Sequence, residues 1–128
     1  MPHLAFDFGE KTIGVAVTEP RAGTASPVGT VRAKEGIPVW AALDALVREW
    51  QPDGFVVGLP LNMDDTESEM SRAARRFGSR IGRRYGIGVS FADERLSTFE
   101  AVGRGGDHAI AAQVIAETWL GTLGSNRR

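Results

Sequence analysis

The chain has no cysteine. Disulfides and thiolate metal sites are therefore excluded, and any metal must be held by oxygen or by the two histidines, His3 and His108. It also has no run approaching the ~20 apolar residues of a membrane span. The N-terminus lacks the basic-then-apolar pattern of a signal peptide, so a cytoplasmic protein with no membrane partner is expected. Lysine is nearly missing: only Lys11 and Lys34 interrupt an otherwise all-arginine set of basic residues. Excess charge of one sign is missing as well. A formal net charge of −1 argues against a protein that coats DNA wholesale. Internal repeats and low-complexity segments are absent. What remains is a chain of 128 residues with ordinary apolar and charged fractions, read as one domain over residues 1–128 with enough length for a real core.

Charge is unevenly spread. Between Met70 and Arg95 lie Arg72, Arg75, Arg76, Arg80, Arg83 and Arg84, against only Asp93 and Glu94. Such a block can track a phosphate backbone, and it can equally be a solvated helix face.

The opening stretch from His3 to Val17 is an apolar run ending in Asp7, a polar turn beginning at Gly9, and a second β-branched run. This is a hairpin pattern, with Gly9 expected to supply unusual backbone angles. A third strand is expected over Val28–Ala33. Pro38 suits the first turn of a helix, in which Trp40, Leu43, Leu46, Val47 and Trp50 recur at helical spacing. Phe55–Gly58 reads as a strand buried on both faces. A polar loop through Asn62 follows, and Thr66 with Glu69 gives a capping-box signature. The next helix carries an apolar stripe of Met70, Ala73, Ala74, Phe77, Ile81 and Tyr85, while Arg72, Arg76 and Arg80 share another face. Val89–Ala92 is a further strand, Ser97–Glu100 a brief helix, and Gly103–Gly106 a flexible joint. A final helix is expected from about Asp107 to Leu120, with Ile110 or Ala111, Val114, Thr118 and Trp119 or Leu120 inward. The order β-β-β-α-β-α-β-α-α predicts an α/β fold of ribonuclease H-like layout. It has a mixed five-stranded sheet, three antiparallel strands then two joined by crossovers, and helices on both faces.

Asp7 is the costly residue, because a carboxylate inside an apolar strand needs a cation, hydrogen bonds or water to meet it. It can brace its own turn. It can also join Asp93 or Glu94 after the last strand and Asp107 at the final helix, since carboxylates from distant segments can hold Mg²⁺ or Mn²⁺. Two such ions can activate water in phosphodiester cleavage without a protein nucleophile. Asp107 is equally suited to cap its helix. His108, next to it, can assist a proton transfer or be an exposed helix residue.

Four blocks carry a family resemblance: LAFDFGEKTIGVAV at 4–17, VVGLPLNMDDTES at 56–68, ADERLSTFEA at 92–101 and DHAIAAQVIAETWL at 107–120. The chain resembles the YqgF family, pre-16S rRNA nucleases also described as Holliday-junction-resolvase-like. The resemblance implies a ribonuclease H-like fold and a metal-dependent nuclease, with two Mg²⁺ or Mn²⁺ ions. It also implies a role in maturing the 5′ end of small-subunit ribosomal RNA. Carried over by position, the family's acids fall on Asp7, Glu94 and Asp107. Strand alternation sides with Glu94, because Asp93 shares the parity of Val89 and Phe91. Lys11 and Arg95 are expected to meet phosphate oxygens, Asn62 to orient substrate, and Arg72, Arg76 and Arg80 to position it by phosphate contacts. One departure is plain: only Val102–Gly106 separates the third block from Asp107, where related chains usually carry a longer, more basic segment.

The expected partner is RNA, as precursor rRNA or ribosomal particles, with branched DNA as an alternative substrate. A monomer or a homodimer is compatible with the sequence, and a junction resolvase would need two active sites. Two competing classes are a noncatalytic RNA- or ribosome-binding adaptor and a nucleotide-phosphate-binding domain. The latter is prompted by the Asp-x-Gly turn at Asp7–Gly9. Proteins of that kind pair two related lobes, and this chain has length for one.

Overall fold

The structure is a computed structural model that describes residues 2–60, 68–93 and 108–125. Its elements in order are β1 (His3–Asp7), β2 (Thr12–Glu19), β3 (Thr24–Lys34), β4 (Ile37–Pro38), α1 (Trp40–Trp50), β5 (Gly54–Leu59), α2 (Glu69–Tyr85), β6 (Gly88–Asp93) and α3 (His108–Ser125). The strands form one sheet in the order β4-β3-β2-β1-β5-β6. β1, β2 and β3 are antiparallel neighbours, while β1, β5 and β6 run parallel. This is the expected layout, with two differences. The third strand is longer at both ends than Val28–Ala33. A sixth, two-residue strand pairs Pro38 with Ala33 and Ile37 with Lys34, so Pro38 lies in β4 and the helix starts two residues later.

Because β1, β5 and β6 follow one another in a single direction across the sheet, right-handed crossovers place α1 and α2 on the same face. Strand alternation then sorts the core into two layers. Leu4, Phe6, Val15, Phe55 and Val57 pack with Leu43 of α1 and with Ala74, Phe77 and Ile81 of α2. Phe6 meets Phe55 and Phe77 edge-on, at centroid distances of 5.6 and 5.4 Å, an arrangement favoured by the ring quadrupoles. On the opposite face, Ala5, Ala16, Val56 and Ala92 pack against Ala112, Ile115, Ala116 and Trp119 of α3. Small residues on both sides let α3 lie close to the sheet.

Four local features depart from expectation. Gly9 has an ordinary φ; it is required because a Cβ there would run into the Thr12 carbonyl oxygen. Ser68 caps α2, accepting from the Ser71 amide at 3.0 Å and donating to the Pro60 carbonyl at 3.2 Å. Thr66, the expected cap, lies outside the described residues. Met70 is exposed while Ala74, Phe77 and Ile81 hold the buried stripe. In α3 the buried positions are Ala109, Ala111, Ala112, Ile115, Ala116 and Trp119. Ile110, Val114 and Thr118 are only half-buried.

Candidate active site at the end of the central strand

Asp7 closes β1, which sits between β2 and β5 inside the sheet. By alternation with Phe6 it turns to the α3 face, where Ala5 also lies. Only 9% of the residue is exposed. Burial raises the Asp7 carboxyl above the ordinary carboxylate pKa, and the hydrogen bond and charge of His108 offset part of that rise.

His108 is the first residue of α3, and its ring Nδ1 lies 3.0 Å from Asp7 Oδ2. In the tautomer that carries the Nδ1 proton, the ring donates to the carboxylate. The two side chains differ in depth: 12% of Asp7 and 45% of His108 is exposed, so the pair opens to solvent on the histidine side. The seat of α3 is built by the hairpin itself. Gly14 stands opposite Asp7 in the β1–β2 register. A Cβ on Gly14 would overlap the His108 carbonyl, so the missing side chain is what lets α3 begin against Asp7.

Lys11 is exposed in the β1–β2 turn, four residues beyond Asp7. That turn is held by backbone bonds from Ala33 to the Lys11 carbonyl at 2.8 Å and from Gly36 to the Glu10 carbonyl at 2.9 Å. At the end of β6, Ala92 packs on the α3 face, whereas Val89 packs on the α2 face. Asp93 therefore has the parity of the face opposite Asp7. Glu94, Asp107, Asn62 and Arg95 lie outside the described residues, as do the Ser97–Glu100 helix and the Val102–Gly106 link. Among the described residues no group of three histidines or acids gathers to hold a metal ion.

The arginines are placed elsewhere. Arg72, Arg76 and Arg80 are exposed on α2, which covers the sheet face opposite Asp7. Arg76 and Arg80 instead join Arg75, Ser79 and Arg83 around a shallow depression of about 510 Å³. Sequence reasoning left His108 as one option among several. The signal that marks it is the pairing of a buried acid with a glycine directly across the hairpin, since that gap must be filled from another element. It also missed a brace between α1 and α2. Arg84 donates to both oxygens of Asp44, at 3.0 and 2.9 Å, and lies over the Trp40 ring, and Tyr85 donates to the same carboxylate.

Comparison with known proteins adds a decisive observation. The family model described as RuvX, Holliday junction resolvase, matches residues 1–122. The chain belongs to this family. Among RuvX relatives, a protein of Saccharophagus degradans named as a candidate pre-16S rRNA nuclease is 49% identical, covering 91% of this chain and 90% of its own length. Another of that name, from Aeromonas hydrophila, is 44% identical over 91% of this chain and 92% of its own. Among solved structures, Thermus thermophilus RuvC in complex with a Holliday junction substrate superposes with a TM-score of 0.65. It covers 98% of this chain and 96% of that one, at 13% identity. The fowlpox virus Holliday junction resolvase gives 0.52, covering 98% and 99%, at 10% identity. These likenesses establish that the RuvX chain has the resolvase type of ribonuclease H-like fold.

Proposed function

We propose that this RuvX chain is a nuclease that hydrolyses phosphodiester bonds of structured RNA in the cytoplasm, maturing the 5′ end of pre-16S rRNA. The observation that carries the reading is a buried carboxylate, Asp7, at the end of the central strand and held by one oxygen to His108. Family membership and the names of its relatives support the substrate class.

The residues fit a divalent cation. A desolvated carboxylate whose pKa is pushed up by burial gains most from a positive charge brought beside it, and oxygen donors suit Mg²⁺ and Mn²⁺. Asp7 would hold the metal together with Glu94, whose strand parity matches the Asp7 face, and Asp107, which directly precedes His108 in sequence. Two ions bound there would supply activation of water and neutralisation of charge at the phosphodiester.

The chain's own side chains do the rest. His108 fixes the Asp7 carboxylate through Oδ2, which would leave the acid pre-oriented for a cation. Lys11, exposed beyond the strand end, meets a phosphate oxygen, and Arg95, next to Glu94 in sequence, does the same. Asn62 orients the nucleotide. None of these contacts reads sequence, so recognition is of backbone shape.

A Holliday-junction-resolving activity on DNA is the second reading, favoured by the description of the family model. It requires a symmetric dimer that presents two sites to one junction. The two readings separate when the same preparation is offered precursor rRNA and a four-way DNA junction under identical metal conditions. Cleavage of the RNA at its 5′ boundary with the junction left intact supports the first, and the converse supports the second.

A further inference from the structure

α2 presents a surface that the candidate active site does not use. Arg76, Arg80 and Arg83 fall at i, i+4 and i+7 on its exposed side, with Arg75 and Ser79 completing the rim of one depression. Among the described residues, no carboxylate neutralises Arg76, Arg80 or Arg83. The row from Arg76 to Arg83 spans about 10 Å at the helical rise, which faces about three phosphates of one strand.

An aromatic ring borders this row. β6 is the edge strand of the sheet, and Phe91 on it is 37% exposed although it is one of the largest apolar side chains in the chain. The ring is seated against Gly78 of α2, where a Cβ would come within 2.8 Å of it. The Arg75 guanidinium lies 5.2 Å from its centroid. A second hollow continues from Phe91 past Val89, Ile87 and Gly82 to Ser79 and Arg83. Basic groups that follow a backbone, next to an exposed ring on which a base can stack, are the two components of a single-strand binding surface.

We propose that the α2–β6 face is a second RNA-binding surface, separate from the Asp7 site and on the opposite face of the sheet, which holds an unpaired strand. Arg76, Arg80 and Arg83 take its phosphates, and the ring of Phe91 takes one base. The proposal rests on the reading of the chain as an RNA-processing enzyme and adds a place for single-stranded RNA flanking the segment to be cut. A two-fold contact between copies through this face would set arginine rows against each other, and like charges across an interface are repulsive. An acidic peptide along the β6 edge would engage the arginines but leave the Phe91 ring unused.

The test is RNA binding by the full chain in EDTA, where no cleavage occurs. Fluorescence anisotropy is read with a single-stranded 12-mer and with a blunt RNA duplex. Wild type and Arg21→Glu, a charge reversal in the exposed β2–β3 turn, are expected to bind the single strand equally. The triple variant Arg76→Glu, Arg80→Glu, Arg83→Glu is expected to bind it at least tenfold more weakly. The slope of log affinity against log salt should fall by about 2, the loss of three phosphate contacts to a single strand. Phe91→Ala is expected to weaken single-strand binding about tenfold and to leave duplex binding within twofold, because base stacking is lost and phosphate contacts are kept. Melting curves establish that the variants are folded; if the glutamates unfold the chain, the glutamine triple replaces them. An unchanged affinity and salt slope in the triple variant overturns the proposal. So does displacement of the RNA by Lys11→Glu but not by the triple variant, or a triple variant altered only in its sedimentation or in its binding of polyglutamate. Because the readout needs no catalysis, the surface can fail while the nuclease stands, and the reverse.

Discussion

His108 Nδ1 and Asp7 Oδ2 are 3.0 Å apart and 101 residues apart in the chain. One belongs to the first strand and the other opens the last helix, so the contact closes the fold at the site of the one deeply buried acid among the described residues.

Removing the charge of Asp7 separates its two consequences. Asp7→Asn is expected to abolish cleavage and, without added metal, to raise the melting temperature, because burial disfavours the ionised acid in the folded chain. Circular dichroism melts in EDTA, alongside a cleavage assay in Mg²⁺, check both. A lower melting temperature would mean that the carboxylate is satisfied by more than His108.

Removing its partner has the opposite effect on stability. His108→Ala leaves Asp7 buried without its ring donor and is expected to cost about 1 kcal/mol, the loss of one charge-assisted hydrogen bond at a half-open site. The double variant with Asp7→Asn should recover most of that loss in urea melts. A double variant that only adds the two single effects would show that the residues act independently.

Gly14 can be probed at a single atom. Gly14→Ala places a Cβ on the backbone carbonyl of His108, and backbone cannot turn aside as a side chain does. The expected cost is about 2 kcal/mol, together with lost activity, because α3 must move off Asp7. Thermal melts and single-turnover cleavage report the two. Gly121→Ala, where a Cβ meets nothing, is the matched control and should melt at or above wild type.

The α1–α2 brace makes stability depend on pH at both extremes. Arg84, then Tyr85, hydrogen-bonds Asp44 and lowers its pKa to about 2. Burial and the bond to Asp44 raise Tyr85 to about 12. The Asp44 contribution is therefore complete above its unfolded value of 3.8 and is lost as pH falls toward 2. The Tyr85 contribution is complete below 10 and is lost as pH rises through 12. Asp44→Ala is expected to melt below wild type at pH 7, with the gap closing as pH drops from 4 to 2.

Much of this arrangement could be read from residues. The β1–β2 hairpin declares itself through two apolar runs, and Asp7 stands out because a strand position inside them is costly for a carboxylate. The crossover order was legible too, since Phe55–Gly58 and Val89–Ala92 are short runs separated by helical patterns. The phase of α3 was not. Its residues are apolar on nearly every side, so spacing cannot choose between a stripe through Ile110 and Val114 and the observed one through Ala112 and Ala116. β4 is two residues long and exists only through its pairing with β3, which no local pattern encodes. The Asp7–His108 contact depends on where the last helix begins. The separation of the arginines from Asp7 follows from the handedness of the crossovers rather than from helix periodicity.

The most direct measurement compares wild type and Asp7→Asn on precursor rRNA, single-stranded RNA and a four-way DNA junction, each with Mg²⁺, Mn²⁺ or EDTA. The expected result is cleavage of the structured precursor by wild type with either metal, and none in EDTA or by Asp7→Asn. Cleavage that persists in EDTA or in Asp7→Asn would contradict a metal-dependent site built on Asp7.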